Sequence, residues 1–243
     1  MDDRDNAILS QQYGICVVSI PYRKAPSHPF PTAPQDCANL IKAILDDSSL
    51  PVDTTKVAVG GYSAGGNLAL SACQLHGLHD RIKGIVAFYP ATNLSKTMQA
   101  KLRTSKLAPG KKQDMLARLG PMFNWAYMAA GQDRTDPLLS PHFAERGKLP
   151  AKVCFFGCEY DLLCTEAREM AEKLAKDEQG QMKVSDDGNS WEKGGIRWEL
   201  VKDVEHGFNQ TPHKSEEELK FKRMRQGVMH RAAAEWLFRE VYV

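Results

Sequence analysis

Residues 56–72 read KVAVGGYSAGGNLALSA. An apolar run rich in β-branched residues, 56–60, runs into a knot of small residues and emerges without a polar spacer in a stretch of helical composition, 64–76. That order predicts a strand, a sharp turn and a helix in direct succession, with Ser63 at the apex of the turn. The run is apolar throughout rather than alternating, which is the pattern of a strand covered on both faces, as in a parallel sheet.

The same alternation of elements extends outward in both directions. The runs 15–20 (ICVVSI), 82–89 (IKGIVAFY) and 152–157 (KVCFFG) are nearly all apolar, while 196–201 (IRWELV) alternates and predicts a strand near a sheet edge. Helical spacing of apolar residues separates them at 36–46, 165–177 and 215–239. Thr165 is the expected N-cap of the second of these, and Ser215 with Glu218 has capping-box spacing at the start of the third. Strands alternating with helices predict βαβ units with right-handed crossovers, hence an α/β fold with a mostly parallel sheet flanked by helices.

Two segments interrupt the rhythm. Residues 92–150 contain no strand pattern but a basic stretch, KLAPGKK, and an aromatic and Met cluster around Met122, Phe123, Trp125 and Tyr127. An insertion of that length predicts a helical lid or substrate wall within a single domain spanning 1–243. Its Met and aromatic residues fit either a hydrophobic acyl or aryl pocket or the packing of the lid itself. Residues 177–195 are polar and glycine-bearing and read as a long exposed loop.

Composition narrows the function classes. The chain has 243 residues, 42% hydrophobic, and its 32 Lys and Arg against 30 Asp and Glu leave a net charge of +2. Such a balance gives no electrostatic footprint for nucleic acid or an anionic membrane. No apolar stretch reaches the roughly 18 residues of a transmembrane helix. The first residues, MDDRDN, are charged rather than a basic start followed by an apolar core, so the sequence predicts an intracellular, cytoplasmic protein. The six cysteines lie mostly inside apolar runs without zinc-site spacing, and read as reduced, buried thiols.

Gly61-Tyr62-Ser63-Ala64-Gly65 is a G-x-S-x-G sequence set between a strand and a helix. The glycines are expected to give room for a turn too tight for side chains, pushing the Ser63 hydroxyl into the open. The N-terminus of the following helix favours developing negative charge, and the N–H of Ala64 is the expected oxyanion donor. A serine hydroxyl needs a base and an orienting acid, drawn from loops at the carboxyl ends of later strands. Asp161, after the run 152–157, and His206, after the run 196–201, occupy such places. Glu159 and Glu205 are rivals for the acid, and His142 and His28 for the base. The mechanism these residues imply calls for no metal or organic cofactor.

At this point the chain resembles the hormone-sensitive-lipase branch of the α/β-hydrolase family, which includes bacterial carboxylesterases and arylacetamide deacetylases. Residues 60–69, GGYSAGGNLA, resemble that branch's G-D-S-A-G-G-N-L-A, with Tyr62 where Asp is usual. Residues 22–31, YRKAPSHPFP, resemble its Y-R-L-A-P-E-H-P-F-P, and Asp136-Pro137 with Ser140-Pro141 its D-P-x-x-S-P. Tyr160-Asp161-Leu162-Leu163, with Glu166, and His206-Gly207-Phe208 resemble its acid and histidine loops. The resemblance implies an α/β-hydrolase fold, Ser63, Asp161 and His206 as a catalytic triad, and small-molecule short-chain or aryl esters as substrates.

The departure is at the front. The branch carries an H-G-G-G oxyanion loop after its third strand, and this sequence has none. By the resemblance, the first three strands are missing, and the absent third would lie between the runs 15–20 and 56–60. Unpaired inner edges are costly. Either the run 15–20 shifts to pair with the run 56–60, or another chain, a second copy or a partner, fills the slot, or the sequence is an incomplete copy. Three functional readings follow. One is a serine carboxylesterase, impaired by the missing loop. The second is a ligand-binding or scaffold protein with a degenerate site. The third is a lyase or isomerase using His206 and Asp161 without Ser63.

Overall fold

The computed structural model describes residues 3–243. In chain order the elements are α1 (Asp3–Tyr13), α2 (Thr32–Asp46), β1 (Ala58–Tyr62), α3 (Ala64–Ala72), the short α4 (Leu78–Arg81), β2 (Gly84–Phe88), α5 (Met98–Thr104), α6 (Met115–Tyr127), β3 (Lys152–Tyr160), α7 (Cys164–Lys176), β4 (Lys183–Val184), β5 (Ser190–Lys193), β6 (Ile196–Glu205) and α8 (Glu216–Glu240). They form one six-stranded sheet in the order β1-β2-β3-β6-β5-β4. The pairs β1–β2, β2–β3 and β3–β6 are parallel. The hairpin pairs β4–β5 and β5–β6 are antiparallel.

Strand periodicity divides the core in two. Ile85 and Ala87 of β2 with Val153 and Phe155 of β3 face α2, α3 and α7. The alternate residues, Val86, Phe88, Cys154 and Phe156, face Met229, Ala233 and Trp236 of α8. Every residue of β2 is buried, as an apolar run covered on both faces requires. Ser215 caps α8 by accepting from Glu218 N at 3.1 Å. Burial holds Cys37 at about 11 and Cys73 at about 12, so these thiols stay protonated. Among the described residues, no helix is long and apolar enough to cross a membrane.

Four expectations are corrected. Residues 15–20 are not a strand: the segment joins no sheet, and Val18 is half exposed. Its apolar side chains have the strand pattern, but it does not add to the open edge of β1, which pairs only with β2. The run 196–201 is interior rather than near an edge, because β6 lies between β3 and β5; it alternates because Ile196 and Trp198 enter the core on one face while Arg197 and Glu199 pair at 2.6 Å on the other. The hairpin of β4 with β5 occupies the segment read as a loop. Trp191 anchors it in the core, and an Asp187-Gly188 turn closes it, with Asp187 Oδ1 accepting from Asn189 N at 3.0 Å. Finally, α7 begins after Leu163 without a side-chain cap, and the Thr165 hydroxyl donates instead to the carbonyl of Thr104 at 3.0 Å.

Candidate active site

The turn between β1 and α3 is built by close backbone approach. A Cβ on Gly61 would lie closer than 3.0 Å to the backbone of Gly65, and one on Gly66 would crowd Pro90. Of the three glycines expected to give room, Gly61 and Gly65 with help from Gly66, the structure needs Gly61 and Gly66, whereas Gly65 faces open space. Ser63 is forced to a φ of 54°, a left-handed conformation that a non-glycine residue adopts only when its surroundings impose it. Its N–H donates to Phe88 O at 2.9 Å, and Asn67 N donates back to Ser63 O at 3.1 Å. Ala64, exposed, opens the first turn of α3, where N–H groups lack intrahelical acceptors.

Three strand ends bring the predicted residues together. Ser63 Oγ is 2.8 Å from His206 Nε2, and His206 Nδ1 is 2.8 Å from Asp161 Oδ2. Asp161 is fully buried, and its other oxygen accepts from Leu163 N at 2.9 Å. A carboxylate fixed in this way demands a proton on Nδ1 and leaves the Nε2 lone pair facing the serine hydroxyl. Burial pushes His206 down, but the charge and hydrogen bond of Asp161, with the charge of Asp114, outweigh it and hold the imidazole above its ordinary value. The Tyr89 ring packs edge-on against the imidazole at 5.0 Å between centroids.

The rivals lie elsewhere in other company. Glu159 is paired with Lys106 and Lys202, each at 3.1 Å, and Glu205 with Lys111 at 3.2 Å. The His142 carbonyl accepts from Lys173 Nζ at 2.6 Å, and burial lowers the basicity of its imidazole. His28 sits in the loop before α2, where its N–H donates to Lys24 O.

The segment 92–150 carries α5, α6 and two short 3-10 turns. Asp114 caps α6 through Leu116 N at 2.6 Å and reaches across to accept from Leu162 N at 3.1 Å, beside Asp161. Sequence reading missed this residue. An Asp before an apolar helix is legible as an N-cap, but its contact 48 residues along the chain is not. Glu166 fastens the other end of the segment, accepting from Thr92 N and Asn93 N and pairing with Lys101 at 2.6 Å. Met122, Phe123 and Trp125 point outward, the last 78% exposed, so they are neither lid core nor a closed pocket. A cleft of about 450 Å³ is bounded by Asp114, Met115, Leu119, Lys111, Arg118 and Glu205, the residue before His206. Among the described residues, no group of three His, Cys, Asp or Glu side chains is gathered to hold a metal.

The chain belongs to the α/β hydrolase fold family, whose signature matches residues 1–188. It is 30% identical over 179 residues to an arylesterase of Saccharolobus solfataricus, covering 71% of this chain and 56% of that protein. Among solved structures it resembles an esterase of Pyrobaculum calidifontis, with a TM-score of 0.72, 30% identity, and coverage of 96% of this chain and 71% of that one. A thermophilic carboxylesterase cloned from a metagenomic library superposes as well, at a TM-score of 0.72 and 26% identity over 95% of this chain and 73% of that one. The structural likeness therefore continues past residue 188 and takes in most of the chain. The chain spans about half the length of the curated relatives it matches.

Proposed function

We propose that the protein hydrolyses short-chain or aryl carboxylic esters through an acyl-enzyme on Ser63. The observation that carries this reading is the unbroken chain of 2.8 Å contacts from Ser63 Oγ through His206 to Asp161, at a turn strained to expose the hydroxyl. Relatives that are esterases support the substrate class.

The steps follow from the geometry. His206 Nε2 accepts the hydroxyl proton as Ser63 Oγ bonds to the ester carbonyl carbon, and the carbonyl electron pair moves onto oxygen. The Ala64 N–H and the N-terminal field of α3 stabilise that oxyanion. The intermediate collapses, the carbon–oxygen bond to the alcohol breaks, and His206 returns its proton to the leaving oxygen. Water repeats the sequence and frees the acid. Asp161 holds the ring tautomer and offsets the imidazolium charge.

Ala64 is the single oxyanion donor assigned here, and the sequence has no H-G-G-G. Each missing donor typically costs about 10²–10³ in turnover, so residues 1–243 by themselves are expected to turn over slowly. The segment 92–150 acts as its lid and substrate wall within one domain. A cytoplasmic location accords with the buried, protonated thiols. The test is hydrolysis of p-nitrophenyl acetate by the purified chain. Turnover abolished in Ser63→Ala is the expected result. Turnover that survives that substitution assigns the chemistry elsewhere, and ligand binding with no turnover in a folded sample makes the site a binding pocket.

A further inference from the structure

Behind the triad lies a second buried polar cluster that the mechanism does not use. Asp5 of α1 is 2% exposed, and His230 of α8 is fully buried. One oxygen of Asp5, Oδ1, receives three side chains: His230 Nε2 at 3.1 Å, Gln226 Nε2 at 2.6 Å and Asn209 Nδ2 at 3.1 Å. His230 Nε2 also lies 3.0 Å from the hydroxyl of Tyr62, the residue directly before the nucleophile. Asn209, three residues after His206, passes the connection on, its Oδ1 accepting from the Tyr89 hydroxyl at 2.7 Å. Tyr89 in turn packs edge-on against the His206 ring.

The hydrogen-bond logic is determinate. His230 Nε2 faces the Asp5 carboxylate, which can only accept, while Nδ1 has no partner among the described residues, so the ring proton belongs on Nε2. Burial raises Asp5, but the hydrogen bonds from His230, Gln226 and Asn209 outweigh this and keep its carboxyl below the usual range. A carboxylate that gathers three donors is a strong, directional anchor. It stands between the two backbones that carry strain at the site, Ser63 at φ 54° and Tyr89 at φ 38°. Such conformations cost on the order of 1–3 kcal/mol each and persist only where the surroundings over-determine them.

We propose that Asp5 is a positioning residue for the Ser63–His206 pair. Through His230 and Tyr62 it fixes the strand end that delivers the hydroxyl, and through Asn209 and Tyr89 it fixes the loop and ring that hold the imidazole. This rests on reading Ser63 and His206 as nucleophile and base.

The test uses Asp5→Asn, Tyr89→Phe and their double variant, with Leu174→Ala as a control for lost stability, since Leu174 lies in α7 on the opposite face of the sheet. Two readouts are taken. One is the low-field proton resonance of His206 Nδ1–H, assigned by histidine labelling and by its loss in His206→Gln. The other is the rate at which a fluorophosphonate labels Ser63, resolved into reagent affinity and maximal rate. Both network variants shift or broaden the resonance and slow the maximal rate by roughly 10- to 100-fold at unchanged affinity. The double variant is little worse than either single one, and Leu174→Ala leaves resonance and rate in place despite a lower melting temperature. An unchanged resonance and rate in both network variants overturns the proposal, as does an equal loss in Leu174→Ala. A folded wild-type chain that takes no label refutes the hydrolase reading instead, and the resonance still decides whether Asp5 positions His206.

Discussion

Replacing Asp161 by Asn tests the triad with almost no change of shape. Asp161 Oδ1 accepts from Leu163 N at 2.9 Å, and that bond is kept only if the amide oxygen of Asn takes the same place. The NH₂ then falls where Oδ2 stood, 2.8 Å from His206 Nδ1. Two donors cannot face each other, so His206 moves its proton to Nε2 and presents Nδ1 as acceptor. Nε2–H now points at Ser63 Oγ and cannot take its proton. Wrong-tautomer substitutions of this kind reduce turnover by about 10⁴ in serine hydrolases. That corresponds to about 5.5 kcal/mol of barrier, at about 1.4 kcal/mol per tenfold. The assay is p-nitrophenyl acetate turnover beside a thermal melt. The expected result is this loss with the melting temperature nearly kept, because the buried volume is unchanged. A folded variant that retains more than about a tenth of wild-type turnover refutes the assignment of Asp161 as the orienting acid.

Further predictions follow from other contacts. Gly61→Ala drives a Cβ into the Gly65 backbone and loses labelling of Ser63 together with about 1–3 kcal/mol of stability, whereas Gly65→Ala, facing open space, keeps its melting temperature. The labelling rate of Ser63 rises with pH, because the base must be neutral. Its midpoint lies above the ordinary imidazole value in the wild type and falls in Asp114→Asn, which removes a charge that favours the imidazolium. Lys101→Met leaves the buried Glu166 unpaired and costs about 3–5 kcal/mol in a denaturant melt near neutral pH. Burial already raises Glu166, so its folded form favours the proton. The deficit therefore shrinks as pH falls and Glu166 becomes neutral, and a deficit independent of pH excludes this cause.

The parts of the fold legible in sequence were those with local signatures. The runs leading into β1, β2 and β3 announce themselves because both faces of each strand must be apolar or small, and Gly61-Tyr62-Ser63 because the turn leaves no room for a Cβ. Asp161 and His206 were legible because loops at the carboxyl ends of parallel strands share one edge of the sheet. The run 15–20 misled because a continuous apolar run specifies burial, not a neighbour, and β1 pairs only with β2. The β4–β5 hairpin was invisible because four residues with one buried Trp fall below any periodic signal. Asp114 and Asp5 were missed for a common reason: each is an ordinary surface-type residue in sequence, made functional by partners 48 and 204 or more residues away.

Whether Ser63 is a primed nucleophile is decided by treating the purified chain with a fluorophosphonate and mapping the adduct by peptide mass spectrometry. One adduct, on Ser63, absent from Ser63→Ala and greatly slowed in His206→Gln, is the predicted result. A folded chain that stays unmodified, or one modified at another residue while Ser63 remains free, contradicts it.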